Sequence, residues 1–261
     1  LAPSIGGWVL TVSTWRTIFY FLTAFGFILT LAVYFYLPES QKEANDKPLN
    51  FKNVIQDYKT VFNEKTFLFY AFSGSIAMAG MFAYISGSPF VFMKYFGLTE
   101  AQYGWVFGTN AMGFILGSQL NRLLLKRFSS LQIITLSSCT LFIVAVSLIV
   151  LFQSELITTG VLIAHLFTFL FCLGLLVPNS TAMALAPFTE NAGSASALIG
   201  FIQMVSGAIL SAVVSALHNE TLFPMIFGMA LSGILAFMIV MQLNAKVKKG
   251  KLAPVAIPLK K

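Results

Sequence analysis

Seven stretches of this chain run for more than twenty residues without an Asp, Glu, Lys or Arg: Thr17–Pro38, Thr66–Met93, Ala101–Asn121, Phe128–Ser154, Leu156–Thr189, Asn191–Leu217 and Thr221–Ala245. A helix rising 1.5 Å per residue needs about 20 residues to cross a hydrocarbon core about 30 Å thick. Composition agrees with that solvent: 57% of the 261 residues are hydrophobic and 10% charged, against about 25% charged in soluble domains. Barrel strands are about ten residues long and alternate in polarity, which these runs do not. Helices are the remaining way to satisfy a backbone in lipid, so the expected class is an all-α membrane protein. Leu1–Thr14 reads as the outer part of one more span.

The organisation follows from the breaks. Pro38–Lys65 is the longest polar segment, with five Lys among Glu39, Glu43, Asp46, Asp57 and Glu64. Within it Phe51, Val54, Ile55, Tyr58, Val61 and Phe62 recur at helical spacing, which fits either an amphipathic helix on the membrane interface or a solvated tether. The long run Leu156–Leu217 divides at Pro187–Asn191. Six spans then follow the linker: Phe67–Met93, Ala101–Leu125, Ser130–Phe152, Leu156–Leu176, Ala192–Leu217 and Leu222–Leu243. The expected domains are the end of one bundle (1–37), a cytoplasmic linker (38–66), a six-helix bundle (67–243) and a basic tail (244–261). This is the pattern of the back two-thirds of a 6+6 transporter. With no Met at position 1 and no secretory signal pattern, the expectation is an N-terminally truncated piece, the rest of one helix and four more having preceded it.

Charge gives the orientation. Of the sixteen basic residues, fourteen fall in alternate loops and the tail: Lys42, Lys47, Lys52, Lys59 and Lys65; Arg122, Lys126 and Arg127; and Lys246, Lys248, Lys249, Lys251, Lys260 and Lys261. Cytoplasmic loops carry the Lys and Arg excess, so the C-terminus is expected inside. The net charge of +7 is thereby accounted for, and nucleic acid is not an expected partner. Cys139 and Cys172 show no metal-ligand spacing, and no metal or cofactor is expected.

Candidate functional residues are the polar groups inside the spans. No acidic or basic residue lies near the middle of any complete span. His165 is the one histidine well inside, with Thr168 and Asn179 on its face; it is either a proton relay or a histidine bonded to a neighbouring helix. The span after the linker holds Tyr70, Ser73, Ser75, Tyr84, Ser86 and Ser88, then Pro89, which with Gly87 is expected to kink or break the outer end of the helix. These hydroxyls serve either substrate or helix packing. Gly104, Gly108, Gly113 and Gly117 form one small-residue seam; Gly193, Ser196, Gly200, Gln203 and Gly207 step by 3, 4, 3 and 4 along another. Both suit static packing or sliding contacts, and Gln203 is the member expected to touch substrate or a gate. Pro3, Gly6 and Gly7 in LAPSIGGW are candidates for conformational switching.

LAPSIGGW resembles the antiporter motif of drug:proton antiporters of the major facilitator superfamily, with Ala2 where that motif has Gly. WRTIFYF, PES at 38–40 and the stretch PNSTAMALAPFTENAGSASALIGFIQM (178–204) resemble the bicyclomycin-resistance (Bcr/CflA-type) branch. Asn121–Arg127 is similar to the superfamily's second inner-loop motif, with its Gly and Asp missing. The resemblance implies a monomeric exporter in the bacterial inner membrane that exchanges protons for amphipathic drug-like molecules by rocking two six-helix bundles. The proton gradient would be its only energy source. It implies further that the helices bearing Ser73 and His165 line the cavity, with those bearing Asn110 and Gln203 beside it. The competing expectations are uptake or facilitated transport of a small metabolite, and a truncated module that transports nothing.

Overall fold

The computed structural model describes residues 9, 12–37, 51–188 and 191–250. Pro3, Gly6 and Gly7, residues 38–50 of the linker and the end of the basic tail lie outside them. The long elements are all helices: α1 (Trp15–Tyr36), α2 (Phe51–Asn63), α3 (Lys65–Pro89), α4 (Glu100–Leu124), α5 (Ser130–Gln153), α6 (Thr159–Leu185), α7 (Ala192–Ala216) and α8 (Phe223–Lys248). Local sequence sets where several begin. Thr99 with Gln102 and Ser129 with Gln132 are reciprocal capping boxes at the starts of α4 and α5. Each satisfies two donors that a helix start leaves without partners. Glu64 accepts from Thr66 N at 3.1 Å to start α3, and Thr158 accepts from Val161 N at 3.4 Å to start α6.

Two helices carry a proline near the end. At Pro89, which keeps right-handed helical dihedrals (φ −60°, ψ −44°), the α-helical register of α3 ends and the chain continues directly as a π-helical turn over Phe90–Tyr95. There Phe96 N donates to Val91 O at 3.1 Å and Leu98 N to Phe92 O at 2.9 Å. Pro89 has no N–H for the carbonyl one turn earlier, and the wider turn takes up the change of register. Likewise α6 does not stop at Leu176 but continues through Pro178 to Leu185. The Gly174 carbonyl, which Pro178 cannot serve, accepts instead from Ser118 Oγ of α4 at 3.4 Å.

α3 lies at the centre, packed against α6, α7 and α8; α4 covers α6, and α5 is wedged between α6 and α8. α3 and α7 run parallel, as do α4 and α6. The basic loops therefore share one end of the bundle, called here the basic end. Among the described residues six elements are both long and apolar enough to cross a membrane: α1, α3 with its π turn, α5, α6, α7 and α8. The expected seventh, α4, has the length but less apolarity; its Asn110 and Asn121 are buried in the bundle. α1 buries no residue. α2 forms the expected amphipathic helix and leans on α3 and α7 through the buried Val61, leaving Val54, Ile55, Tyr58 and Phe62 exposed.

Candidate functional site

Four levels of neutral hydrogen bonding climb α3 and its neighbours from the basic end. Lowest, Asn179 Nδ2 donates to Asn121 Oδ1 of α4 at 2.6 Å and to Leu175 O of its own helix at 2.8 Å. Next, the Ser73 and Ser180 hydroxyls lie 3.4 Å apart between α3 and α6, while Ser73 Oγ also donates to Tyr70 O at 2.9 Å. Tyr70 itself is buried. Higher, Asn110 Nδ2 donates to Tyr84 Oη at 3.2 Å, and the Tyr84 ring stacks on Phe107 with centroids 5.8 Å apart. Asn110 Oδ1 is buried and has no partner. One turn further, Ser88 Oγ and Tyr103 Oη are 2.9 Å apart.

An amide oxygen with no donor in a bundle interior is costly. Asn110 is fully buried and Tyr84 2% exposed, so a water or a substrate reaches this oxygen only if the helices part there. Tyr84, Asn110 and Phe107 thus combine an aromatic face, a hydroxyl and a free carbonyl oxygen at one point. Among the described residues no three His, Cys, Asp or Glu side chains converge, so the chemistry offered here is hydrogen bonding by hydroxyls and amides.

Other expected residues fall elsewhere. His165 turns towards α5: Nδ1 is 2.7 Å from Val161 O and Nε2 is 3.1 Å from Ser147 Oγ. A carbonyl only accepts, so Nδ1 carries the proton. His165, Thr168 and Asn179 do not bond to one another, and each is held by a different group. Thr168 donates to Ala164 O at 2.8 Å, and Asn179 serves α4. Gln203 is half-buried on α7.

Each expected seam is used over part of its length. On α4, Gly113 and Gly117 meet α6: a Cβ on Gly113 would lie 2.7 Å from Phe167 O, and one on Gly117 would press on Phe171 O. Gly174 of α6 answers them, its absent Cβ leaving room for the Phe114 carbonyl. Gly104 and Gly108 lie outside this contact; both are half-buried and a Cβ on Gly108 would meet nothing within 4 Å. On α7 only Gly207 packs tightly, since a Cβ there would lie 2.6 Å from the Phe82 ring of α3; one on Gly193 or Gly200 would meet nothing within 4 Å, and Ser196 is exposed. The 3, 4 stepping is real, but of its glycines only Gly207 is in close contact with another helix.

Sequence reasoning missed Ser118, Ser180, Tyr103, Ser147 and Ser215 as partners. Their only signal was a polar side chain inside an apolar run.

Likeness to known proteins bears on what such a bundle does. The sequence pattern of the Major Facilitator Superfamily matches residues 1–212. A bicyclomycin resistance protein homolog of Haemophilus influenzae is 27% identical over 229 residues, covering 88% of this chain and 57% of that protein. Multidrug resistance protein D of Escherichia coli K12 is 28% identical over 221 residues (85% of this chain, 54% of that protein). Multidrug resistance protein MdtL of Shewanella sp. ANA-3 is 26% identical over 211 residues (80% and 52%). The chain thus spans little more than half the length of these relatives.

Proposed function

Because the chain belongs to the major facilitator superfamily, a family of multi-pass membrane transporters, we propose that it supplies one six-helix half of a multidrug exporter that exchanges drug-like molecules for protons across the bacterial inner membrane. The names of its relatives support the substrate class. The observation in this molecule that carries the reading is the Tyr84, Asn110 and Phe107 point, where a neutral bundle offers an aromatic face beside an unpaired amide oxygen. Both residues are buried, so the reading requires the helices to part at this point; amphipathic molecules of varied shape then suit it, since π stacking and one hydrogen bond demand little fixed geometry. Proton coupling rests on the resemblance of the chain, its Lys-rich tail aside, to drug:proton antiporters.

The orientation belongs to the same proposal: the basic end faces the cytoplasm and the C-terminus is inside. A fluorescent protein fused after Lys261 is then expected to fluoresce, and a periplasmic alkaline phosphatase fusion at the same point to stay inactive. For transport, expression of the complete reading frame in an efflux-deficient strain is expected to raise tolerance to amphipathic drugs, and a protonophore to abolish the gain. Tolerance that survives the protonophore would remove proton coupling from this reading.

A further inference from the structure

The end of the bundle away from the basic loops holds a cleft of about 460 Å³. It lies where the parallel helices α3 and α7 both leave the α-helical register and where α8 begins. The last turn of a helix leaves carbonyl oxygens without helical partners, and two of these belong to residues that line the cleft, Ser86 and Val214. In α3 the Phe90 N–H donates to Gly87 O, which takes from Ser86 O the donor one turn on. Pro89, the next nearest, has no N–H to give. In α7 the His218 N–H donates to Ser215 O at 3.3 Å and the Leu217 N–H to Val213 O at 2.9 Å, and the pair passes over Val214 O in the same way.

Little in the cleft answers these oxygens. At the start of α8 the Phe223 N–H is held by Thr221 Oγ1 at 3.1 Å, and Pro224 has no N–H. Thr221 Oγ1 spends its own proton on Asn219 Oδ1 at 2.6 Å. The Ser86 and Ser215 hydroxyls, 3.4 Å apart, bridge the ends of α3 and α7 and add two more oxygens at the same point. No Asp, Glu, Lys or Arg lines the cleft; Glu220 of the loop and Lys94 of the π turn are outside the lining. Val91, Pro224 and Met225 give it apolar walls. The cleft is therefore rich in acceptors, and two helix C-termini turn the negative ends of their dipoles towards it.

We propose that this cleft binds a primary ammonium group carried on an apolar body. Such a group has three N–H donors and no acceptor. Ser86 O, Val214 O and the serine pair supply acceptors on adjoining helix ends, and the two dipoles favour its charge without a carboxylate. Carbonyls at interrupted and half-helix C-termini hold cations inside membranes for the same reason. A trimethylammonium group has the same charge and no N–H, so it gains the dipole attraction and none of the hydrogen bonds. The ammonium comes either from a free amine or from an aminoethyl lipid headgroup. The site is separate from the Tyr84, Asn110 and Phe107 point, and occupancy there needs no transport, so its failure leaves the transport reading as it stands.

Equilibrium dialysis of labelled 2-phenylethylamine against the full chain tests this, in phosphatidylcholine nanodiscs and neutral buffer with empty discs subtracted. Saturable binding is expected, at least about tenfold tighter than that of phenylethyltrimethylammonium, the size of a hydrogen bond to a charged group. Ser215 is exposed at the end of α7, so Ser215→Leu fills the cleft without disturbing the core and is expected to abolish binding. Ser215→Thr, which keeps the hydroxyl, is expected to retain it. Phosphatidylethanolamine added to the discs separates the two sources: it lowers amine binding where the headgroup competes for the cleft and leaves it unchanged where only free amines enter. Equal affinity for the two ammonium compounds, or undiminished binding to the Ser215→Leu chain, overturns the proposal.

Discussion

Asn110 gives one hydrogen bond and leaves its oxygen empty, and Tyr84 is the partner of that one bond. Removing a partner costs more than removing a pair, because a buried polar group left alone loses its water and gains nothing. Tyr84→Phe is accordingly expected to destabilise the bundle by about 1–3 kcal/mol, and Asn110→Leu added to it to restore part of that loss. Unfolding in mixed micelles by a titrated denaturing detergent measures both; a double variant less stable than Tyr84→Phe alone would contradict the account. The Asn121–Asn179 bond gives a milder expectation. Hydrogen bonds between helices in membranes couple by about 0.6 kcal/mol on average and about 1.7 at most, and Asn179 keeps Leu175 O when Asn121 is gone. A double-mutant cycle with Leu at each position is expected to return a coupling within those bounds.

Among the elements, α4 and α6 form the tightest pair. Gly113, Gly117 and Gly174 let backbone approach backbone, which in lipid supplies packing that the hydrophobic effect cannot. The same approach brings Ser118 Oγ to the carbonyl freed by Pro178. Gly117→Leu is expected to cost the bundle at least the 1–3 kcal/mol typical of overpacking, roughly, since backbone cannot move aside as a side chain can. Gly108→Leu on the same helix is expected to leave stability unchanged in the same detergent titration, because a Cβ there meets nothing within 4 Å. Equal losses from the two would show that the spacing of the glycines, and not their contacts, matters. The amphipathic α2 was legible in the sequence because it depends on residues three or four apart. The π turn that carries the chain on after Pro89 and the persistence of α6 beyond Pro178 were not: at Pro178 the freed carbonyl is met by a hydroxyl of another helix, which a local rule about proline does not contain.

In the whole molecule, one face of α7 stays open. Gly193, Ser196 and Gly200 lie on it without close neighbours among the described residues, and Trp105 beside Gly104 and Gly108 on α4 is 80% exposed. Ser196→Leu or Gly200→Leu is expected to leave the six-helix bundle folded and yet abolish drug tolerance in the complete transporter. Full tolerance with the leucine in place would make that face a plain lipid surface. The sequence by itself determined the solvent, the helical class, the number of long uncharged runs and the end at which positive charge gathers, because all of these depend on unbroken length and composition along the chain. Only the tertiary structure decided that His165 bonds to Ser147, that Gly113 and Gly117 on α4 but only Gly207 on α7 are in tight contact, and that Asn110 keeps an oxygen free. Those outcomes depend on which helix stands beside which. The partners are separated by 58 residues for Asn121 and Asn179 and 107 for Ser73 and Ser180, and a helical period fixes a residue's face without saying what that face will meet.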